Sequence, residues 1–207
     1  MLTRRATFLL TTLIAGAGRA AFAAPAADPA AQEAAARAFV QKTADALLQV
    51  INSNASSADK QARIRPLVDS SVDVDGIARF CLGRFWRTAT TAQQNDYLKL
   101  FHAVLVKSIT GRLGDYTGVK IDVGKAQTRE EGVIVTTVIT RPNNAPASLD
   151  WLVVTQGGAP KLADMIAEGT SLRITTRKDY DSYLTRNNAD VGTLIAQLRK
   201  QASSDGA

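Results

Sequence analysis

Residues 78–101, ARFCLGRFWRTATTAQQNDYLKLF, carry the strongest signals for the fold, and we call them the signature stretch. The nine residues from Arg79 to Arg87 inclusive contain two phenylalanines, a tryptophan, the only cysteine of the chain and three arginines. A single cysteine forms no internal disulfide, and Cys81 stands between apolar neighbours, so it is predicted to be a small buried hydrophobe. No set of catalytic residues stands beside these apolar and cationic side chains. The composition therefore indicates a structural or binding role.

A long helix is predicted to begin inside the signature stretch. Thr90 and Thr91 each precede a glutamine by three residues, which is the spacing of a capping box. The apolar face behind this start is wide, and a wide face indicates burial on more than one side. We expect the helix to end at Gly114 or Gly118, because glycine commonly terminates helices.

Helices are also predicted upstream of the signature stretch. Asp28 followed by proline is a typical helix start, and this helix should run to about Asn52. A second helix is expected from about Ala58, and Pro66 should end or bend it. Asp75 is predicted to cap a short helical turn that leads into the signature stretch.

Beyond the long helix the chain becomes rich in β-branched residues, and short turn sequences separate four such segments. Short connections between neighbouring strands predict an antiparallel meander. The predicted strands are residues 119–127, 132–141, 147–156 and 161–168. Helical spacing returns after Gly169, and Asp190 is predicted to cap a last helix. The order predicts an α+β fold, with N-terminal helices and a four-stranded antiparallel curved sheet that carries helices on one face.

The third predicted strand is apolar on both faces. Leu149, Trp151 and Val153 share one face, while Leu152 and Val154 lie on the other. A sheet with one wet face alternates more cleanly than this. Either the sheet is covered on both sides, or it curves so that its concave face lines a cavity.

The N-terminal 23 residues have the composition of an export signal. A charged start at Arg4 and Arg5 precedes a short apolar run and an Ala-Phe-Ala cleavage pattern. The paired arginines fit either a twin-arginine signal or an ordinary secretory signal. The predicted organisation is an export signal at 1–23, a flexible linker at 24–31, a single domain at 32–201 and a disordered tail at 202–207.

The charge of the chain does not indicate nucleic-acid binding. The formal net charge is +6, but three unopposed arginines lie in the predicted signal, so the remainder carries only +3. Its basic residues are scattered among acidic ones rather than clustered. A mild attraction to an anionic membrane surface is compatible with this balance.

Catalytic and metal-binding motifs are missing from the sequence. One histidine, His102, and one cysteine cannot build a typical zinc site, and no G-x-S-x-G or phosphate-binding loop occurs. Carboxylates remain as candidates, since one held in an apolar pocket of a cone-shaped fold can act as a general base. Asp150, Asp164 and Glu168 lie in or near the strands, although they could equally face solvent. We predict no enzyme activity, no metal and no cofactor.

The signature stretch resembles the A-R-x-x-L-G-R-x-W-R…Q…F pattern of the MlaC family, also called the toluene-tolerance family. A second run, from Leu149 to Tyr180, resembles the family's D-W…K…D…E-G-x-S…R segment. The likeness covers roughly residues 35–200 in matching order and spacing. This sequence departs from the family pattern at Pro160, where the family usually has tryptophan, and at Leu152 and Val154, where the family often has basic residues.

The resemblance implies a periplasmic carrier with an NTF2-like cone enclosing an apolar cavity. Such a protein holds the acyl chains of a phospholipid and shuttles it between an inner-membrane ABC transporter with an MCE-domain subunit and an outer-membrane lipoprotein complex. A related branch is associated with hopanoids, so a hopanoid or another apolar lipid is an alternative ligand. A cone-fold enzyme that uses Asp164 or Glu168, and a structural protein with a solid core, are also compatible with the sequence.

A set of apolar side chains from both halves of the chain is predicted to form the cavity wall, although each would also serve as plain core. The predicted wall residues are Leu82, Phe85, Trp86, Phe101, Leu105, Ile109, Val133, Val135, Trp151, Val153, Met165 and Ile166. Arg79, Arg84 and Arg87 are predicted to form either a solvated face or a rim that meets lipid phosphate, an acidic partner or an anionic bilayer.

Overall fold

The computed structural model of the protein describes residues 28–111, 118–142 and 144–203. The helices are α1 (Pro29–Ile51), α2 (Ser57–Ser71), α3 (Val74–Leu82), a 3-10 helix (Gly83–Arg87), α4 (Thr91–Thr110), α5 (Leu172–Arg186) and α6 (Val191–Ser203). The strands are β1 (Lys120–Arg129), β2 (Gly132–Thr140), β3 (Ala147–Gln156), β4 (Ala159–Ala167) and β5 (Thr170–Ser171). The predicted export signal, and Gly114 at one expected end of the long helix, lie outside the described residues.

The first two helices begin within one residue of their predicted starts. The Asp28 carboxylate accepts the backbone N–H of Ala30 at 3.1 Å, so α1 begins at Pro29 and takes in residues 29–31 of the predicted linker. Pro66 does not end α2, which continues to Ser71. Ile64 and Val68, on either side of the proline, are both buried, and their packing offsets the one backbone hydrogen bond that proline removes.

Asp73, rather than the predicted Asp75, caps α3. Its carboxylate accepts the N–H of Gly76 at 2.9 Å, three residues downstream, whereas Asp75 lies within the first turn. The capping box of α4 is confirmed between Thr90 and Gln93, with both reciprocal hydrogen bonds present.

Helix α4 ends earlier than the predicted glycines. Its last residue is Thr110, and Gly111 provides the C-cap by donating its N–H to the carbonyl of Lys107 at 2.8 Å. Helix α6 runs to Ser203 and so includes the first two residues of the predicted tail. Within the described residues, no helix is both long and apolar enough to cross a bilayer.

The sheet is antiparallel in the order β1-β2-β3-β4-β5 and confirms the α+β prediction. The two-residue strand β5 was not predicted; it pairs with the end of β4. A bridge between Val72 and Leu162 covers another part of that edge of β4. Register shifts between Val123 and Ala126 in β1, and at Ala163 of β4 opposite Leu152 and Val153, are the bulges expected of a curled sheet.

One face of the sheet, which we call the inner face, packs against α1. Its buried side chains and those of α1 form the inner-face cluster: Ala36, Val40, Val133, Val135, Leu149, Trp151, Val153 and Leu162. The alternation predicted for β3 is thus confirmed. The opposite, outer face carries Ile134, Thr136, Asp150, Leu152 and Ile166, as the register requires.

Two further clusters lie among the helices. The helical cluster joins α3, the 3-10 helix, α4, α5 and α6, and its centre includes Leu82, Tyr97 and Leu184, each at most 1% exposed. The second, which we call the α2–α4 cluster, contains Ile51, Ile64, Val68 and Val106. Leu105 packs against both of these clusters, and Val72 packs against the inner-face and α2–α4 clusters. The apolar interior is therefore continuous but has three centres.

Candidate functional site

The signature stretch ties the helical layer together through buried hydrogen bonds. The fully buried Tyr97 donates its hydroxyl to the carbonyl of Ala78 at 2.8 Å, which fixes α4 against α3. The side-chain amide of Gln94 donates to the carbonyl of Trp86 at 2.8 Å and so secures the end of the 3-10 helix. These contacts give Gln94 and Tyr97 of the pattern a structural role.

Gly83 in the same stretch has a specific steric role. Its φ of 58° and ψ of −128° lie where side chains other than glycine are strained. A Cβ placed there would also lie 3.2 Å from the guanidinium of Arg177 on α5. The L-G-R motif therefore marks a crossing of α3 and α5 at which only glycine fits without displacement.

The inner face gathers five of the predicted wall residues. Four of them, Val133, Val135, Trp151 and Val153, are buried in the inner-face cluster, and the half-buried Met165 packs against it. The indole Nε1–H of Trp151 donates to the hydroxyl of Thr137 at 2.9 Å, and that hydroxyl donates to the carbonyl of Leu149 at 2.9 Å. This chain of hydrogen bonds fixes the orientation of the largest side chain on the face.

The remaining predicted wall residues lie elsewhere. Leu82, Phe85 and Phe101 are buried in the helical cluster, with Trp86 and Leu105 packed against it. Ile109 packs against the α2–α4 cluster. Ile166 pairs with Asp150 and so points to the outer face, away from Met165. The structure thus distributes eleven of the twelve residues over three connected clusters and leaves Ile166 outside them.

Two open clefts are lined mainly by polar side chains outside this set. One, of about 640 Å³, lies between α2, α3 and α4 and includes Asp69, Lys99, His102 and Lys161. Nε2 of His102 lies 2.7 Å from Oδ1 of Asp69, and the His102 side chain is 28% exposed, so His102 lies at the boundary of the fold. The other cleft, of about 750 Å³, lies between the 3-10 helix and the α5–α6 loop and includes Arg84, Phe85 and Arg87. Of the predicted wall residues, only Phe85 borders either cleft.

The three rim arginines are exposed, and two of them lie over aromatic rings. The guanidinium carbon of Arg79 is 5.0 Å from the ring centroid of Trp86, and that of Arg84 is 4.8 Å from the ring centroid of Phe85. Arg84 also forms an exposed ion pair with Asp181 at 3.2 Å. Stacking on these rings therefore partly fixes the positions of the Arg79 and Arg84 side chains.

Asp164 is the centre of a buried polar network. One carboxylate oxygen accepts the N–H groups of Met165 and Arg173 at 2.8 and 3.1 Å, and the other accepts the Ser171 hydroxyl at 2.5 Å. Nε of Arg173 lies 3.3 Å from the same carboxylate, and its Nη2 bonds Glu131. The Asp164 side chain is 3% exposed. A carboxylate with this many partners holds β4 to the start of α5 and is poorly placed to accept a substrate proton.

The remaining candidates for chemistry offer no better arrangement. Glu168 is exposed, with a φ of 49°, in the turn between β4 and β5. Burial, and next the charge of Asp164, raise the pKa of the Cys81 thiol to about 12, so Cys81 is a buried neutral thiol. Among the described residues, no group of histidine, cysteine, aspartate and glutamate could hold a metal ion.

Comparison with known proteins agrees with this arrangement. The model of the family described as MlaC protein matches residues 41–200, which is most of the chain. This chain belongs to the MlaC family. The fold is also similar to that of a phospholipid-binding protein from Ralstonia solanacearum, whose structure was solved in complex with a phospholipid. The TM-score is 0.70 and the identity 22%, over 81% of this chain and 97% of that one.

Sequence reasoning missed two side chains that organise the site. Thr137 lies in a run of β-branched residues, where nothing distinguishes it from its neighbours. Arg173 follows the E-G-x-S segment, but its partner Glu131 lies 42 residues away in the β1–β2 turn.

Proposed function

We propose that this protein is a phospholipid carrier that holds acyl chains against the inner face of its sheet. The observation that carries the proposal is membership of the MlaC family across residues 41–200. The likeness of its fold to a phospholipid-binding protein supports the same ligand class. This is a binding and transport role, and the saturated network around Asp164 supports it against a pocket enzyme.

The apolar side chains around α1 and α4 support a particular place for the chains. Phe39, Ile139 and Met165 are only half-buried at the border of the inner-face cluster. Leu105 and Ile109 are half-buried beside the α2–α4 cluster. The two clusters meet at Val72. Apolar surface left partly exposed at their borders would lose contact with water when an acyl chain packs against it, which supports binding there.

The energetics explain why a carrier of this kind needs no catalysis. Each buried methylene contributes about 0.8 kcal/mol, so two chains of about 15 methylenes represent roughly 25 kcal/mol against water. Free lipid therefore leaves a bilayer very slowly. A dry protein pocket replaces the hydrocarbon environment, and transfer between bilayer and pocket becomes nearly balanced.

The proposed setting is the periplasm. The composition of residues 1–23 supports export, and the family supports exchange with an inner-membrane MCE-domain transporter and an outer-membrane lipoprotein complex. In this proposal the protein itself supplies only the pocket, and any energy input comes from the transporter.

Charge placed at the border of the inner face tests the binding site. Met165→Glu and Ile139→Glu should reduce co-purifying lipid at least about tenfold, because a carboxylate in a hydrocarbon pocket is strongly disfavoured. Val138→Glu is the matched control, since Val138 neighbours Ile139 but points to the outer face and is 41% exposed. Circular dichroism should report a folded chain for all three variants. Full lipid retention in the two inner-face variants would contradict the proposed site.

A further inference from the structure

Three exposed arginines of the helical layer lie over aromatic rings. Arg79 lies over Trp86 and Arg84 over Phe85, at 5.0 and 4.8 Å. Arg177 of α5 lies over Phe80 at 4.9 Å and also approaches Gly83. Arg87 borders the same cleft as Arg84. We call Arg79, Arg84, Arg87 and Arg177 the arginine patch.

Most guanidinium donors of the arginine patch have no acceptor in the part of the chain that the structure describes. Arg79, Arg87 and Arg177 are exposed, and among the described residues none of the three has a hydrogen bond or ion pair to a protein acceptor. Arg173 provides the contrast, because its side chain is only 15% exposed and is bound to Asp164 and Glu131. Stacking thus orients Arg79 and Arg177, whose planar donor groups have no acceptor among the described residues.

An apolar side chain adjoins this charge. Ile174 is 43% exposed and lies three residues before Arg177, so both occupy one side of α5. Exposed apolar side chains next to arginine are typical of protein–protein interfaces, where arginine is enriched. An interface formed by prepositioned side chains also loses less conformational entropy on binding.

We infer that the arginine patch, with Ile174 at its border, docks an acidic segment of a partner protein. The planar guanidinium fork matches a carboxylate with two parallel hydrogen bonds, and charge complementarity requires the partner to be acidic. A fluid anionic bilayer would need neither the fixed fork nor the stacking that orients it. The patch belongs to the helical layer rather than to the inner face, so this docking goes beyond lipid binding and can be tested separately.

The test uses a fluorescein-labelled peptide of alternating glutamate and leucine, with a glutamine–leucine peptide as the uncharged comparison. Fluorescence anisotropy should show binding of the glutamate peptide that weakens as salt is added. The double variant R79E/R177E should bind it at least about tenfold more weakly. The variant R63E/R65E, altered at two exposed arginines of α2, changes net charge equally and should retain binding within about twofold.

The conservative variant R79K/R177K keeps the proposal testable if R79E/R177E does not fold. Lysine keeps the charge but loses the fork, so this variant should bind the glutamate peptide several-fold more weakly than the original chain. Equal losses in R79E/R177E and R63E/R65E would overturn the proposal, as would unchanged affinity in R79K/R177K. Patch-dependent binding to phosphatidylglycerol–phosphatidylethanolamine vesicles without peptide binding would overturn it in favour of a membrane surface.

Discussion

The indole of Trp151 and the hydroxyl of Thr137 form a buried 2.9 Å hydrogen bond on the inner face of the sheet. Thr137 is fully buried and donates its own proton to the carbonyl of Leu149. Neighbouring strands β2 and β3 are thereby linked by side chains as well as by their backbones. The orientation of the tryptophan, and with it the shape of the proposed lipid surface, depends on this one hydroxyl.

Replacing Thr137 with valine tests that dependence. The change keeps the shape but leaves the indole N–H without a partner, so the free energy of unfolding should fall by about 1–3 kcal/mol. Thr136→Val, on the outer face, should cost less than about 0.5 kcal/mol. Urea unfolding measures both. Equal effects of the two substitutions would show that the hydrogen bond does not matter for stability.

Gly83→Ala should destabilise the helical layer. A residue with a Cβ at φ 58° and ψ −128° costs about 1–3 kcal/mol, and the guanidinium of Arg177 must also move. Gly157→Ala is a close control, because Gly157 has a φ of 57° but no atom within 4 Å of the added Cβ. Thermal unfolding should therefore give a larger loss for Gly83→Ala. A smaller loss than in the control would contradict the crossing described for α3 and α5.

Asp164→Asn should be among the most destabilising polar substitutions. It removes the charge that faces Arg173 in a nearly closed site, and breaking a buried pair typically costs about 3–5 kcal/mol. Glu168→Gln, at an exposed turn position, should stay within about 0.5 kcal/mol. Chemical denaturation of both variants compares them. If Asp164→Asn left stability intact, the carboxylate would be free for another role and the hypothesis of a pocket enzyme would regain support.

Stability should decrease at alkaline pH. Burial raises the pKa of Cys81 from 9.0 to about 12, and burial also raises the pKa values of Tyr97 and Tyr180 above 10.0. Above pH 9 the unfolded thiol loses its proton while the folded thiol keeps it, so the folded state binds more protons and loses relative stability as pH rises. Denaturation between pH 8 and 10 should show this slope, and Cys81→Ala should flatten it. An identical slope in that variant would contradict the assignment to Cys81.

Local sequence signals predicted most of the fold. The caps at Asp28 and Thr90 and the alternation of β3 depend on residues within a few positions of one another, and each is confirmed. The predicted strands differ from the observed ones by at most two residues at their ends. Such features are encoded by spacing, which a sequence displays directly.

Contacts between distant segments were harder to predict. Strand β5 has only two residues and forms because they pair with the edge of β4. A segment this short has no strand propensity that could be recognised in the sequence. The predicted wall residues are all apolar, but apolar character does not determine which cluster a residue joins. Ile166 follows Met165 directly in β4, and successive side chains of a strand point to opposite faces, so Ile166 lies on the outer face. The Arg173 network joins three segments that are separate in sequence.

The most direct test of the proposed carrier is the lipid content of the purified protein. Native mass spectrometry of the folded chain, followed by solvent extraction and identification of the extract, measures it without any added ligand. We expect about one phospholipid molecule per chain, released only when the protein is denatured or extracted. A folded protein whose native mass equals that of the bare chain, and whose extract contains no lipid, would contradict the proposed function.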